Sequence, residues 1–311
     1  EEAVWNLEVL SQTPPPEKFI GKTNSDLAFK GNYAFQGNYN GVIVWDISNP
    51  ANPVLVNDYE CPASQSDVSV YGNLLFVSGE GLGGRIDCGT EGVQEAVSAV
   101  RLRGIRIFDI TDIQNPEYIA NVQTCRGSHT HSVLKDPNDD ENIYVYVSGS
   151  YVVRPDEELA GCSDLQPEED LNSALFRIEV IKVPLDSPEE AAIVSSPRIF
   201  EDLQAPPTHG LAPADIAAME AAKAAGAYTV VLGGTERILP GRYVQGLLES
   251  IVQQRGGEGA PTADDSSTLR NNIQTMVDAM FGGGNDDVTA RRGPDQCHDI
   301  TVYPELGIAG G

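Results

Sequence analysis

Asn40-Gly41-Val42-Ile43-Val44-Trp45-Asp46-Ile47-Ser48-Asn49-Pro50-Ala51-Asn52-Pro53-Val54 begins as an apolar strand, passes through Asp-Ile-Ser and ends in a turn carrying Asn-Pro. Arg103-Gly104-Ile105-Arg106-Ile107-Phe108-Asp109-Ile110-Thr111-Asp112-Ile113-Gln114-Asn115-Pro116-Glu117 repeats the pattern. A further strand follows each copy, at Val54-Leu55-Val56 and at Tyr118-Ile119-Ala120. A weaker third copy runs from Phe176 to Pro188 and departs from the consensus of the other two. Ahead of the first copy, Ser25-Asp26-Leu27-Ala28-Phe29-Lys30-Gly31-Asn32-Tyr33-Ala34-Phe35 reads as strand, Gly-Asn turn, strand. Ser66-Asp67-Val68-Ser69-Val70-Tyr71-Gly72-Asn73-Leu74-Leu75-Phe76 reads the same way ahead of the second.

Asp26 and Asp67 are 41 residues apart. Four short strands in about 40 residues is the size of one propeller blade. The reading is therefore mainly β: a β-propeller with four-stranded blades, about 3.5 of them in this chain, and a helical insertion. Residues 1–24 form an N-terminal extension and 25–202 hold blades 1–3. Those blades are expected at 25–62, at 66–127 with a Gly-rich insertion near 81–103, and at 128–202 with an acidic insertion near 154–173. Residues 203–294 change to helical periodicity. Pro213–Ala225 is Ala-rich; Tyr243/Val244, Leu247/Leu248 and Ile251/Val252 make a second stripe, stopped by Gly256-Gly257. Leu269, Ile273, Met276/Val277 and Met280 make a third, entered from Ser266-Ser267 and ended by Gly282-Gly283-Gly284. Residues 295–311 return to the blade-opening pattern in Asp299-Ile300-Thr301-Val302-Tyr303. A propeller closes with about four to eight blades, so the expectation is that these residues are part of a longer protein.

The run Gly41–Pro53 resembles the LVIVD repeat. The resemblance covers about 25–202 and 296–311; residues 203–294 do not share it. It implies a β-propeller-like protein of a largely bacterial and archaeal, usually exported group, and it implies no defined activity.

The formal net charge is −26, from 20 Lys+Arg and 46 Asp+Glu. Such a chain lacks the clustered cations that nucleic acid or anionic lipid requires. No run of about 18 apolar residues is present, so no transmembrane segment of its own is expected. The start, Glu1-Glu2-Ala3-Val4-Trp5, shows no basic-then-apolar leader; a mature chain after signal-peptide removal is one reading, a chain that begins late the other. Cys61, Cys88, Cys125, Cys162 and Cys297 form no C-x-x-C pair, and their wide spacing fits an oxidising compartment, periplasm or cell surface. An odd count leaves one thiol unpaired or paired outside this chain. Cys61 and Cys125 fall at equivalent blade ends, a blade width apart, and a Cys88–Cys162 bridge between the two insertions is one hypothesis.

Three of the four histidines sit at blade openings: His129 and His131 in Gly127-Ser128-His129-Thr130-His131-Ser132, and His298 beside Asp299. On a strand His129 and His131 share a face. With His298, Asp299, Asp26 and Asp67 arriving from other blades, imidazoles and carboxylates suit Zn, Cu, Fe or Ni, with Cu or Zn the ions expected. Propellers resembling selenium-binding protein and methanethiol oxidase place metal-binding histidines near such a channel. The alternative is that these side chains hydrogen-bond backbone groups at the channel mouth. Gly79-Glu80-Gly81-Leu82-Gly83-Gly84 has the letters of a dinucleotide fingerprint, but no helix pattern follows, so it reads as a loop. Asp136–Asn142 is rich in oxygen ligands without EF-hand spacing and reads as a solvated hairpin turn, with Ca as the alternative. Gly233-Gly234-Thr235 lacks the Lys of a P-loop.

No complete catalytic motif emerges. The expected function is an exported propeller scaffold or accessory subunit with a protein partner, docked on a membrane-embedded complex such as a respiratory or photosynthetic one. The alternative is a copper-type oxidase using His129, His131 and His298. A small-ligand or carbohydrate binder using channel-mouth aspartates is a third option.

Overall fold

The protein is described by a computed structural model, in which the described residues are 7–198, 212–232, 235–257, 259–281 and 296–310. It is mainly β. Three four-stranded antiparallel sheets follow one another along the chain, each with its strands in sequential order. The first holds β1 (Asn24–Lys30), β2 (Tyr33–Asn38), β3 (Gly41–Asp46) and β4 (Val54–Glu60). The second holds β5 (Val68–Tyr71), β6 (Leu74–Gly79), β7 (Gly104–Asp109) and β8 (Glu117–Gln123). The third holds β9 (Thr130–Leu134), β10 (Asn142–Ser148), β11 (Ile178–Pro184) and β12 (Ala192–Ser195).

The repeated letters have repeated physical jobs. Gly31 and Gly72 each sit at φ +57° in the first hairpin turn of their sheets, a conformation that costs glycine nothing. Asp46 Oδ1 accepts from the Ser48 N–H at 2.8 Å, and Asp109 Oδ1 from the Thr111 N–H at 2.7 Å. The Asp-Ile-Ser/Thr signature is thus an Asx turn that ends the third strand. The third copy has Lys182 where Asp46 and Asp109 stand, which is where its pattern departs. All three sheets carry a register shift at the same place: Val44/Trp45, Ile107/Phe108 and Val180/Ile181. Each bulge sharpens the local twist of its sheet at one shared position.

Two apolar cores lie between the sheets. Ala28, Phe35, Val42 and Val44 of the first meet Val68, Leu75, Val77 and Phe108 of the second. The opposite face of the second sheet, with Leu74, Phe76, Ile105 and Ile107, meets Ile143, Val145, Val147 and Ile181 of the third. Alternation along each strand sends successive side chains to opposite cores. Past the third sheet, Ile178 and Val180 pack with Ile300, beside Cys297 and Val302. Ile300 leads into a two-stranded hairpin, β15 (Thr301–Tyr303) with β16 (Ile308–Gly310).

The disulfides join Cys61 to Cys88 and Cys125 to Cys162, leaving Cys297 free. A Cys88–Cys162 bridge between the insertions is therefore not formed. Each cysteine at the end of one sheet is instead tied to the insertion of the next sheet. That insertion leaves after β6 or β10, passing beside the preceding sheet's last strand.

The remaining described residues, between 212 and 281, form a separate unit. It contains α1 (Pro213–Ala224), the hairpin β13 (Thr229–Leu232) with β14 (Thr235–Ile238), α2 (Gly241–Gln254) and α3 (Ala263–Phe281). The hairpin was not foreseen, because Val230 and Val231 are too short a run to stand out among helical stripes. Leu247, Ile251, Leu269, Ile273 and Val277 join Val230 in one core. The third helix starts before Ser266-Ser267. Thr262 Oγ1 accepts from the Asp265 N–H and the Asp265 carboxylate from the Thr262 N–H, a capping box that sets the start at Ala263. Gly282-Gly283-Gly284, the expected stop, lies outside the described residues, as do Gly233 and Gly234. No helix among the described residues is long and apolar enough to cross a membrane.

Gly41 and Gly104 open the third strands at φ +139° and +148°, and a Cβ on either would stand 2.1 Å or 2.0 Å from a carbonyl oxygen of the neighbouring strand. Gly104→Ala therefore loses about 1–3 kcal/mol of stability in chemical denaturation. Gly31→Ala, with open space around its Cβ position, loses only the smaller backbone penalty. Equal losses for the two variants would contradict the packing described.

Candidate functional site at the opening strands

Each sheet begins with a strand that is tied to the sheet before it. The Val68 N–H donates to Asp26 Oδ2 at 3.2 Å, and the His131 N–H donates to Asp67 Oδ2 at 2.8 Å. Val68 pairs with Val77, and His131 with Val147, so the two amides occupy matching places in their sheets. One carboxylate at a fixed repeat position thus reaches forward to one amide at the next. At the third junction Thr130 stands where an Asp would be, and its buried Oγ1 has no partner. The Ile300 N–H turns instead to the adjacent Asp299 Oδ1 at 3.0 Å, and Ser132 Oγ donates to the Ile300 carbonyl.

His131 is the residue at which the second junction becomes chemically unusual. Its ring is fully buried, with Nδ1 2.9 Å from Ser78 Oγ and 3.2 Å from Asp67 Oδ2, while Nε2 is buried without a partner. Ser78 Oγ also meets Ser128 Oγ at 2.7 Å. Burial pushes the His131 imidazole down to about 4. Burial also raises the Asp67 carboxyl well above the usual carboxylate range, against the His131 N–H that lowers it; a hydrogen bond shared with Asp26, and the charges of Asp26 and Asp299, raise it further. The geometry is that of an ion pair, but burial disfavours the charged form of both partners. Two buried charges would each cost more in desolvation than their attraction returns.

His129 does not share this environment. It precedes β9 instead of lying on it, and its Nδ1 meets Glu80 Oε1 at 2.8 Å, with Ser150 Oγ on Glu80 Oε2 at 3.2 Å. The His298 ring lies 4.9 Å from the His129 ring, tilted by 55°. The expected set His129, His131, His298 and Asp299 is thus divided. His129 and His298 are together, with Glu80 as an unforeseen companion; His131 belongs to Asp67 and Ser78; Asp299 caps Ile300. Among the described residues no group of three or more His, Cys, Asp or Glu side chains is arranged to hold a metal ion. At Asp136–Asn142 the carboxylates accept from their own turn: Asp136 Oδ1 from Asn138 N–H, and Asp139 from Asn142 N–H and Tyr144 Oη–H.

Sequence reading missed the buried arginines. Arg101, Arg103, Arg106, Arg126 and Arg154 are all buried. Most of their bonds go to backbone carbonyls of irregular segments. Arg103 donates to Glu80 O and Val152 O, Arg106 to Cys61 O and Arg85 O, Arg126 to Tyr151 O, and Arg101 to Leu82 O. Burial lowers Arg103 and Arg106 to about 10, which leaves both charged at neutral pH. Glu158, also buried, accepts from Arg154 within its own insertion and from Arg101 and the Ser98 N–H of the other. The two insertions are therefore one continuous structure whose carbonyls are satisfied by forked guanidinium donors. The available signal was Arg106 inside an otherwise apolar strand, with Arg103 just ahead of it.

The raised Asp67 carboxyl has a signed consequence. A group whose folded pKa is raised contributes stability that is complete below its unfolded pKa and is lost as pH rises through the folded value. Asp67→Asn removes that loss. The melting temperature of the variant minus that of the wild type therefore increases by at least about 2 °C between about pH 5 and about pH 9. Parallel pH profiles would show that Asp67 keeps an ordinary carboxyl.

No curated protein matches the chain. Among solved structures it is similar to the computationally designed Ika4 protein, at 14% identity and a TM-score of 0.28, over 58% of this chain and 94% of that one. Residues 21–61, which contain the whole first sheet and the stretch Gly41–Pro53, match the family model described as LVIVD repeat.

Proposed function

We propose that the three sheets are blades of a β-propeller and that the protein is an exported scaffold whose two joined insertions bind a protein partner. The observation that carries this reading is Glu158, which locks the insertion after β6 to the insertion after β10. Around that lock, the long loops are pinned by two disulfides and by guanidinium–carbonyl bonds, so they present a preformed surface. The surface displays apolar side chains, among them Leu82, Val97, Val100, Val152 and Leu171, all exposed. Rigid loops with exposed apolar groups bind without a large ordering cost. Two disulfides fit an oxidising compartment, and the net charge of −26 disfavours nucleic acid. A membrane-embedded complex is the class of partner proposed.

A second reading draws on Glu80, His129 and His298. A carboxylate on one imidazole nitrogen fixes the tautomer that leaves the other free, and a second imidazole lies alongside. Cu or Zn would then bind between His129 and His298, with water completing the coordination. Stoichiometric Cu or Zn in natively purified protein supports it; metal-free protein that does not take up either ion rules it out.

The scaffold reading is tested in native cells. Without reductant, four of the five cysteines resist alkylation and Cys297 reacts once unfolding exposes it. A photo-crosslinker placed at Leu171 forms one discrete adduct with a membrane-complex subunit, and Glu158→Ala, which frees the insertions, reduces its yield at least about tenfold. Five alkylatable cysteines, or crosslinking indifferent to Glu158, would contradict the reading.

A further inference from the structure

We infer that a groove in the insertion after β10 binds an extended, basic peptide segment of the protein partner. This rests on the scaffold reading, whose preformed insertions it uses.

The groove encloses about 570 Å³, room enough for a few residues of peptide. Arg154 and Cys162, both buried, form its floor, and Val153, Pro155 and Leu165 give it apolar walls. Its sides are held without any occupant. Cys162 is bonded to Cys125, and Asp156 Oδ1 accepts from the Gly161 N–H at 2.7 Å. Ser173 Oγ donates to the Leu165 carbonyl at 2.7 Å, and the Ala174 N–H donates to the Ser163 carbonyl at 2.8 Å. An occupant therefore meets a shape that is already ordered.

The floor asks for an acceptor. The Arg154 side chain is only 3% exposed. Its Nε donates to Glu158 Oε1, and its Nη1 to the Arg103 carbonyl and Gln123 Oε1. Its Nη2 donates to none of the described residues, although a buried guanidinium nitrogen gains most from an oxygen partner. The rim asks for a cation. Between Pro155 and Ser173 every charged side chain is an acid. The buried Glu158 is answered by Arg101 and Arg154. The exposed rim carboxylates Asp156 and Asp164 pair with no cation among the described residues. An anionic ligand would suit Arg154 and be repelled by that rim, so the acceptor is a neutral carbonyl. A Lys or Arg residue in an extended chain carries both groups. Its backbone carbonyl takes the Arg154 Nη2, its alkyl stem covers the apolar walls, and its charge reaches the two aspartates. A free polyamine supplies the cation without the acceptor.

Calorimetric titration of the full chain with the peptide acetyl-(Lys-Ala)3-amide tests this. One saturable site is expected, with a Kd below about 1 mM at low salt, and added salt weakens it. Asp156→Asn with Asp164→Asn changes two exposed groups and keeps the Oδ1 that holds Gly161, so the circular dichroism persists while binding weakens at least about fivefold. Spermidine, of the same charge as the peptide, binds at least about tenfold more weakly. No binding up to about 1 mM, binding indifferent to the two asparagines, or spermidine equal to the peptide overturns the inference. The crosslink at Leu171 reports on the scaffold reading separately. An adduct that forms while the peptide fails to bind overturns the groove alone, whereas peptide binding without any adduct counts against the scaffold reading and leaves the groove.

Discussion

The hydrogen bond from a backbone amide to a carboxylate across the sheet junction is the constraint on which the other features depend. A sheet face is apolar and nearly featureless, and apolar burial alone allows neighbouring sheets to slide. Asp26 on the Val68 N–H and Asp67 on the His131 N–H fix where one sheet sits on the next. With that point fixed, the alternating side chains fall into the two inter-sheet cores. The same offset brings the end of each sheet to the insertion of the next, where the disulfide forms. Arg106 and Glu179, at one repeat position in successive third strands, reach the same end: Arg106 donates to Cys61 O and Glu179 accepts from the Cys125 N–H.

The junctions differ in chemistry although they share geometry. At the first, the amide belongs to Val68. At the second it belongs to His131, whose ring is buried against the raised Asp67 carboxyl. At the third the carboxylate is replaced by Thr130, and Asp299 serves its own strand. A repeat protein can place such differences at equivalent points without altering the sheets, because each sheet contacts only its neighbours. Function is then free to reside in the insertions.

The repeat was legible because its letters are local. Gly-Asn turns, the Asp-Ile-Ser/Thr stop and the apolar strands each act within a few residues, and they marked four-stranded sheets. Helices within 203–294 were legible for the same reason. What could not be read were contacts set by the junction. The hypothesis of Cys88 with Cys162 joined the two insertions to each other, because the offset that carries each insertion back to the preceding sheet is three-dimensional. The division of His129 from His131 was hidden likewise: a strand starting at Thr130 leaves His129 outside the alternation. Glu80, inside a Gly-rich loop, gave no sign that it would meet His129.

Amide hydrogen exchange at Val68 and His131 tests the junction most directly. Both amides should be protected in the wild type. Asp26→Ala should speed exchange at Val68 and leave His131 protected, and Asp67→Ala should do the reverse. Protection at both sites that survives both substitutions would show that the carboxylates do not hold the sheets in register.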